Sequence, residues 1–158
     1  MKRLGIYVET SVWNVYFDEE LRHRREATRR LFDSNHDLGY DFYVSEAMLF
    51  EIRNAPAERR LQIHGLLSRV QPILLEHTED VAVLAEAYLS TGALPQGSLQ
   101  DALHIAFASV YELDIVLSWN LRHIANVRRQ QKVQATNIAG GYHKPVLLIT
   151  PLEVIESE

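Results

Sequence analysis

Leu4-Gly5-Ile6-Tyr7-Val8-Glu9-Thr10-Ser11 begins as an apolar run with β-branched members and stops on three polar side chains. It reads as a buried strand entering a turn, with a carboxylate and two hydroxyls at its exit. Working outward, Phe42-Tyr43-Val44 is a second strand, and Ser45 after it suits the cap of a following helix. Pro72-Ile73-Leu74-Leu75, Ile115-Val116-Leu117-Ser118 and Val146-Leu147-Leu148-Ile149 supply three more, the last stopped by Pro151. Helical stretches separate them. One covers residues 19–32, one runs from Ser45 to Asn54-Ala55-Pro56, and one covers 57–70. Another runs from a Thr78 cap to about Thr91, where Gly92 stops it. The next opens at Gly97-Ser98 and is apolar on nearly every side from Ala102 to Val110, so it belongs in the middle of a domain. Strands alternating with helices predict an α/β protein whose parallel sheet has helices on both faces. The connection from Asn120 to Pro145, with Gly140-Gly141, carries no assigned element.

At 158 residues, with no internal repeat or low-complexity tract, the chain is expected to form a single domain over 1–158. Hydrophobic residues make up 47% and charged residues 23%, the balance of a globular protein. No apolar run approaches the roughly 20 residues a membrane span needs. Met1-Lys2-Arg3-Leu4 leads straight into the first strand, and Glu9 interrupts any signal-peptide core, so a cytoplasmic location is expected. Zero cysteines exclude disulfides and thiolate zinc sites. A formal net charge of −5 argues against a general nucleic-acid coat protein and leaves an enzyme with a local basic strip open.

Four segments end on a carboxylate or amide where a strand or helix edge should face one cleft: Tyr7-Val8-Glu9-Thr10-Ser11, residues 45–51, Asp101 to Ala106, and Leu117-Ser118-Trp119-Asn120. In open α/β sheets, ligands sit beyond the carboxyl ends of the strands. Acidic oxygens gathered there repel unless a cation lies among them, and the usual one is a hard divalent ion such as Mg2+ or Mn2+. Glu9 reads either as a surface acid in a turn or as a pocket acid at a strand end. Glu51 projects among Ala47, Met48, Ile52 and Ala55, so its carboxylate must be paired, protonated or metal-bound, the plainer option being an ion pair with an Arg. Asp101 also fits a capping box with Ser98, and Asn120 also fits a turn or helix cap. Trp119 is read as core rather than as a base-stacking surface, and His104 as structural rather than as a zinc ligand. Arg122, His123, Arg128, Arg129 and Lys132 form a basic strip, which is either a solvated face or a track for a phosphate backbone.

These segments, in this order and over nearly the whole chain, resemble the PIN domain of VapC-type toxins from type II toxin–antitoxin systems. The Tyr7 to Ser11 segment resembles the strand-one motif that usually ends in Asp-Thr-Ser. Glu51 matches the second acid, Asp101 the third, and Asn120 stands where many members carry Asp. The resemblance implies a PIN-like three-layer α/β/α sandwich with a central parallel sheet, and a Mg2+- or Mn2+-dependent endoribonuclease. It also implies a homodimer and neutralisation by a cognate antitoxin docking near the Arg-rich helix of residues 19–32. Glu9, Glu51 and Asp101 would hold the cation, Asn120 would assist a second cation or a water, and Ser11 would orient a ligand. Glu9 is one methylene longer than the usual Asp and Asn120 removes a charge, so weakened or manganese-preferring activity is expected. The second class is a PIN-like module that binds RNA or an antitoxin without cutting. A phosphatase would want Asp at strand one with a second acid two residues on, and no Gly-rich turn supports a nucleotide fold.

Overall fold

The structure is a computed structural model and describes residues 2–34 and 37–156. Met1, quoted above at the N-terminus, lies outside the described residues. The chain runs β1 (Leu4–Val8), α1 (Thr10–Val15), α2 (Arg22–Phe32), β2 (Tyr40–Ser45), α3 (Glu46–Arg53), α4 (Ala57–Val70), β3 (Ile73–Leu75) and α5 (Glu79–Ser90). It continues through α6 (Leu99–Val110), β4 (Ile115–Leu117), α7 (Val127–Ala139), β5 (Leu147–Ile149) and α8 (Pro151–Glu156). The five strands are all parallel, in the order β3-β2-β1-β4-β5. The fold is therefore the expected three-layer α/β/α sandwich.

Strand alternation sorts the core into two halves, because successive side chains leave opposite faces of a sheet. Ile6 and Val8 of β1, with Ile115 and Leu117 of β4, point to the layer carrying α1, α2, α4 and α8. Tyr7 and Val116 point the other way, to α5, α6 and α7. Helix α3 serves both halves, with Ala47 on one side and Met48 and Ile52 on the other. Being central, α6 buries Ala102, His104, Ile105, Ala106, Phe107, Ala108 and Ser109.

Three local expectations needed revision. Residues 9–11 do not form a turn: Glu9 caps α1, a six-residue helix too short for a periodic pattern to announce it. The unassigned stretch contains α7, which buries only Val133, Thr136 and Asn137 and so has too thin an apolar stripe to read. Pro151 ends the strand but also begins α8, in the first-turn position that its missing N–H permits. There Thr150 Oγ1 accepts from Leu152 N (3.2 Å) while Glu153 accepts from Thr150 N (2.8 Å), so cap and third-position acid each satisfy a backbone N–H.

Candidate functional site

The strand order reverses direction at β1, with β2 on one side and β4 on the other, and a cleft opens at the carboxyl ends of such a pair. Glu9 leaves β1 here and Ser118-Trp119-Asn120 leaves β4. The two exits are laced together: Glu9 N donates to Leu117 O (3.0 Å), Ser118 Oγ to Glu9 Oε2 (3.2 Å), and Trp119 N to Ser11 Oγ (2.9 Å). Both Glu9 oxygens also accept from Ser11 N, at 2.9 and 3.1 Å. Glu9 is only 6% exposed. Burial raises its pKa, and the Glu51 charge adds to this, against the opposing pull of His104 and the Ser11 bonds.

Glu51 heads a buried chain. Its Oε1 accepts from Thr10 Oγ1 (3.0 Å) and is hydrogen-bonded to His104 Nε2. His104 Nδ1 lies 2.5 Å from Tyr7 Oη, which lies 2.7 Å from Ser45 Oγ. Ser45 in turn caps α3, accepting from Ala47 N (3.1 Å) and Met48 N (3.4 Å). An ionised carboxylate can only accept, so the His104 proton facing Glu51 sits on Nε2. Burial disfavours both charged forms, but for each partner the mutual hydrogen bond and charge outweigh it. Glu51 is held below its ordinary pKa and His104 above its own, with Glu9 and Asp101 adding to the latter. Burial keeps the Tyr7 phenol well above its ordinary value and therefore neutral.

The partner of Glu51 is thus a histidine, not the Arg of the plainer reading, and His104 is more than a packing residue. One signal was available: a lone imidazole on an otherwise apolar helix, one turn after Asp101, must find a partner. Tyr7 carried the same signal, a phenol inside a fully buried strand.

Asp101 does not complete the capping box. Ser98 sits at φ −98° and ψ 37°, off the extended geometry a cap needs, and its side chain makes no cap bond. Asp101 Oδ2 lies instead 3.3 Å from His123 Nδ1. The backbone N of the same His123 donates to Asn120 Oδ1 (3.0 Å), so Asn120 does cap its own turn. Ser11 ties the start of α1 to the exit of β4 rather than standing free. Trp119 is 5% exposed and donates to Thr28 Oγ1 (2.9 Å), as a core residue would. Of the basic strip, Arg129 turns inward onto Ala93 O, while Arg122, Arg128 and Lys132 are exposed.

Glu9, Glu51 and Asp101 all act electrostatically on His104. Together with Asn120 they are hard oxygen donors, which fits Mg2+ or Mn2+ in kind. Among the described residues no three His, Asp or Glu side chains stand close enough to hold an ion as they are. In each of Glu51 and Asp101 a histidine takes one carboxylate oxygen, Oε1 and Oδ2 respectively. A cavity of about 690 Å³ between the α1–α2 connection and α4 is lined by none of these residues, and Asp18, Glu19, Glu20 and Glu58 make its rim acidic.

No family model and no curated protein matches the chain. Among solved structures, VapC20 of Mycobacterium tuberculosis, described as a sarcin-ricin loop cleaving toxin, superposes with a TM-score of 0.55 at 18% identity, over 70% of this chain and 86% of that one. VapBC2 of Rickettsia felis, bound to a DNA fragment from their promoter, superposes with a TM-score of 0.54 at 12% identity, over 75% and 90%. The chain has the PIN-like fold of VapC-type toxins.

Proposed function

We propose that this chain is a divalent-metal-dependent endoribonuclease and the toxin of a toxin–antitoxin pair. The observation that carries the reading is the gathering of Glu9, Glu51, Asp101 and Asn120 at the switch point of a VapC-like sheet, tied together through Thr10, Ser118, His104 and His123. Glu9, Glu51 and Asp101 would hold Mg2+ or Mn2+, with the Asn120 amide oxygen assisting. Once bound, such an ion supplies an activated water and offsets charge at a phosphodiester. The chain's own residues do the positioning. Ser11 and Ser118 fix Glu9 against the β4 exit, Thr10 and His104 aim Glu51, and His123 couples Asn120 to Asp101. Exposed Arg122 and Arg128, just past Asn120, suit an RNA backbone. The test is cleavage of varied RNAs with Mn2+ or Mg2+. The reading predicts activity that excess chelator abolishes, and cleavage unchanged in chelator would sink it.

The second reading is a module that binds RNA or antitoxin without cutting. It is favoured by the commitment of both Glu9 oxygens to Ser11 and Ser118, and RNA or antitoxin binding without cleavage in either metal would support it.

A homodimer, a cytoplasmic location and an antitoxin partner belong to the same proposal. No described helix is long and apolar enough to cross a membrane. For docking on α2, Arg29 is a poor contact. Its Nε donates to Tyr16 O (2.9 Å) and its guanidinium covers the Tyr16 ring. Of the arginines of α2, Arg22 and Arg30 are the exposed ones, with exposed Leu21 just before the helix. Reversing Arg22 and Arg30 to Glu should weaken capture of an acidic amphipathic antitoxin segment, read by titration calorimetry. Unaltered affinity would place the partner elsewhere.

A further inference from the structure

His104 is 1% exposed, yet both of its ring nitrogens are engaged, one by an acid of the candidate site and the other by a phenol from the sheet. The partners come from three elements: Glu51 from α3, His104 from α6 and Tyr7 from β1. Tyr7 is itself fixed, fully buried, with Phe107 stacked at 6.5 Å and Ser45 bonded to its hydroxyl. Thr10 and His104 both take the same oxygen, Oε1. Oε2 has no protein hydrogen-bond partner among the described residues. Glu51 has three torsions of its own and would otherwise sample many positions.

We infer that His104, braced by Tyr7, is a positioning residue that locks Glu51 by its Oε1 and presents Oε2 to the cleft. The clamp rests on the proposed metal-dependent reading for its purpose, but not for its existence. It works in either arrangement of protons. With neutral His104, Ser45 donates to Tyr7, Tyr7 to Nδ1, and Nε2 to Glu51. With charged His104, Nδ1 donates to Tyr7 and Tyr7 to Ser45, and the bond to Glu51 is kept. The two hydroxyls can reverse together, so the direction in which Glu51 points does not depend on which arrangement is present. Carboxylates that bind a cation are commonly held by such outer partners, whose loss costs about 10–100-fold in metal affinity.

The experiment uses His104→Gln, His104→Asn and Tyr7→Phe in the full chain, with two readouts. Mn2+ affinity is measured by calorimetry, and the imidazole N–H proton by NMR. Gln reaches about where Nε2 lies and keeps the donor to Glu51, so H104Q should stay within about 3-fold of wild type, whereas H104N should weaken Mn2+ binding about 10–100-fold. Tyr7→Phe keeps the ring and removes the brace, and should weaken binding about 3–10-fold by the same reasoning. The wild type should show a slowly exchanging, downfield imidazole N–H that moves in Glu51→Gln. Folded H104N that binds Mn2+ as tightly as wild type would overturn the inference. If H104N does not fold, Tyr7→Phe decides, and unchanged affinity with an unchanged N–H signal overturns it. If the wild type binds no Mn2+, the metal reading fails alone. The clamp is then supported by an N–H signal sensitive to Glu51→Gln and overturned by its absence.

Discussion

Two carboxylate–histidine pairs flank the same cleft, and they are built differently. Glu51 and His104 join two helices through the core, with the histidine 1% exposed and its second nitrogen bound to Tyr7. Asp101 and His123 join a helix to a loop at 3.3 Å, with side chains 21% and 33% exposed. In the first pair each partner's pKa is displaced, Glu51 down and His104 up, because low dielectric strengthens their mutual attraction more than burial opposes it. In the second pair both side chains are partly exposed and the contact is longer. The same two functional groups therefore make a rigid brace in one place and a loose tie in the other. An arriving cation would meet one acid already aimed and one still free to adjust.

The largest expected contrast is in stability. His104→Leu should cost about 2–4 kcal/mol, since it leaves the Glu51 carboxylate without its main partner and deprives buried Tyr7 of one of its own. His123→Leu should cost less than about 1 kcal/mol, as loss of a partly exposed pair does. Denaturant midpoints of the two variants measure this, and equal losses would show that the two pairs brace the fold alike.

Acidity gives the next contrast. Glu51, with its pKa depressed from 4.5, contributes stability above that value and loses it as pH falls through the folded pKa. His104, raised from 6.5, contributes fully below that value and loses its contribution as pH rises through the folded pKa. The gap in melting temperature between wild type and His104→Gln should therefore be widest from about pH 4.5 to 6.5 and narrow on both sides. A pH-independent gap would mean that the pair is not ionic.

A smaller effect is expected at Asn120. Asp at this position keeps the oxygen that accepts from His123 N and restores a charge, so Mn2+ affinity should rise about 3–10-fold, a change of roughly 0.7–1.4 kcal/mol. The smallest effect is expected at Glu9. Shortening it to Asp keeps a good helix cap over Ser11 but withdraws from Ser118, so stability should change by less than about 1 kcal/mol. Metal preference should move toward Mg2+, whose geometry is stricter, and lower activity with weaker metal binding would show a site built around Glu.

Much of the fold was legible from local chemistry. Ser45 and Thr78 cap the helices they were expected to cap, α4 spans the stretch read as a helix, and all five strands lie where apolar runs predicted. The sequence pattern lost α1 and α8 because six residues hold under two turns, and α7 because its stripe is thin. At the site, the four segments do meet at one edge of the sheet. The partner of each acid was not legible, because hydrogen bonds between residues 51 and 104, or 101 and 123, leave no local periodicity.

The alternation of strands and helices, the burial of α6 and the placing of Glu9 and Asn120 at strand exits are written in the local residue pattern. These follow from hydrophobic period and turn chemistry, which act over a few residues. That Glu51 leans on His104, that Tyr7 stands behind the imidazole, and that Asp101 answers to His123 rather than to Ser98 emerges with packing alone. Those choices depend on which side chains reach the same buried space once the sheet and helices are packed. Any buried polar group must then take whichever partner lies there.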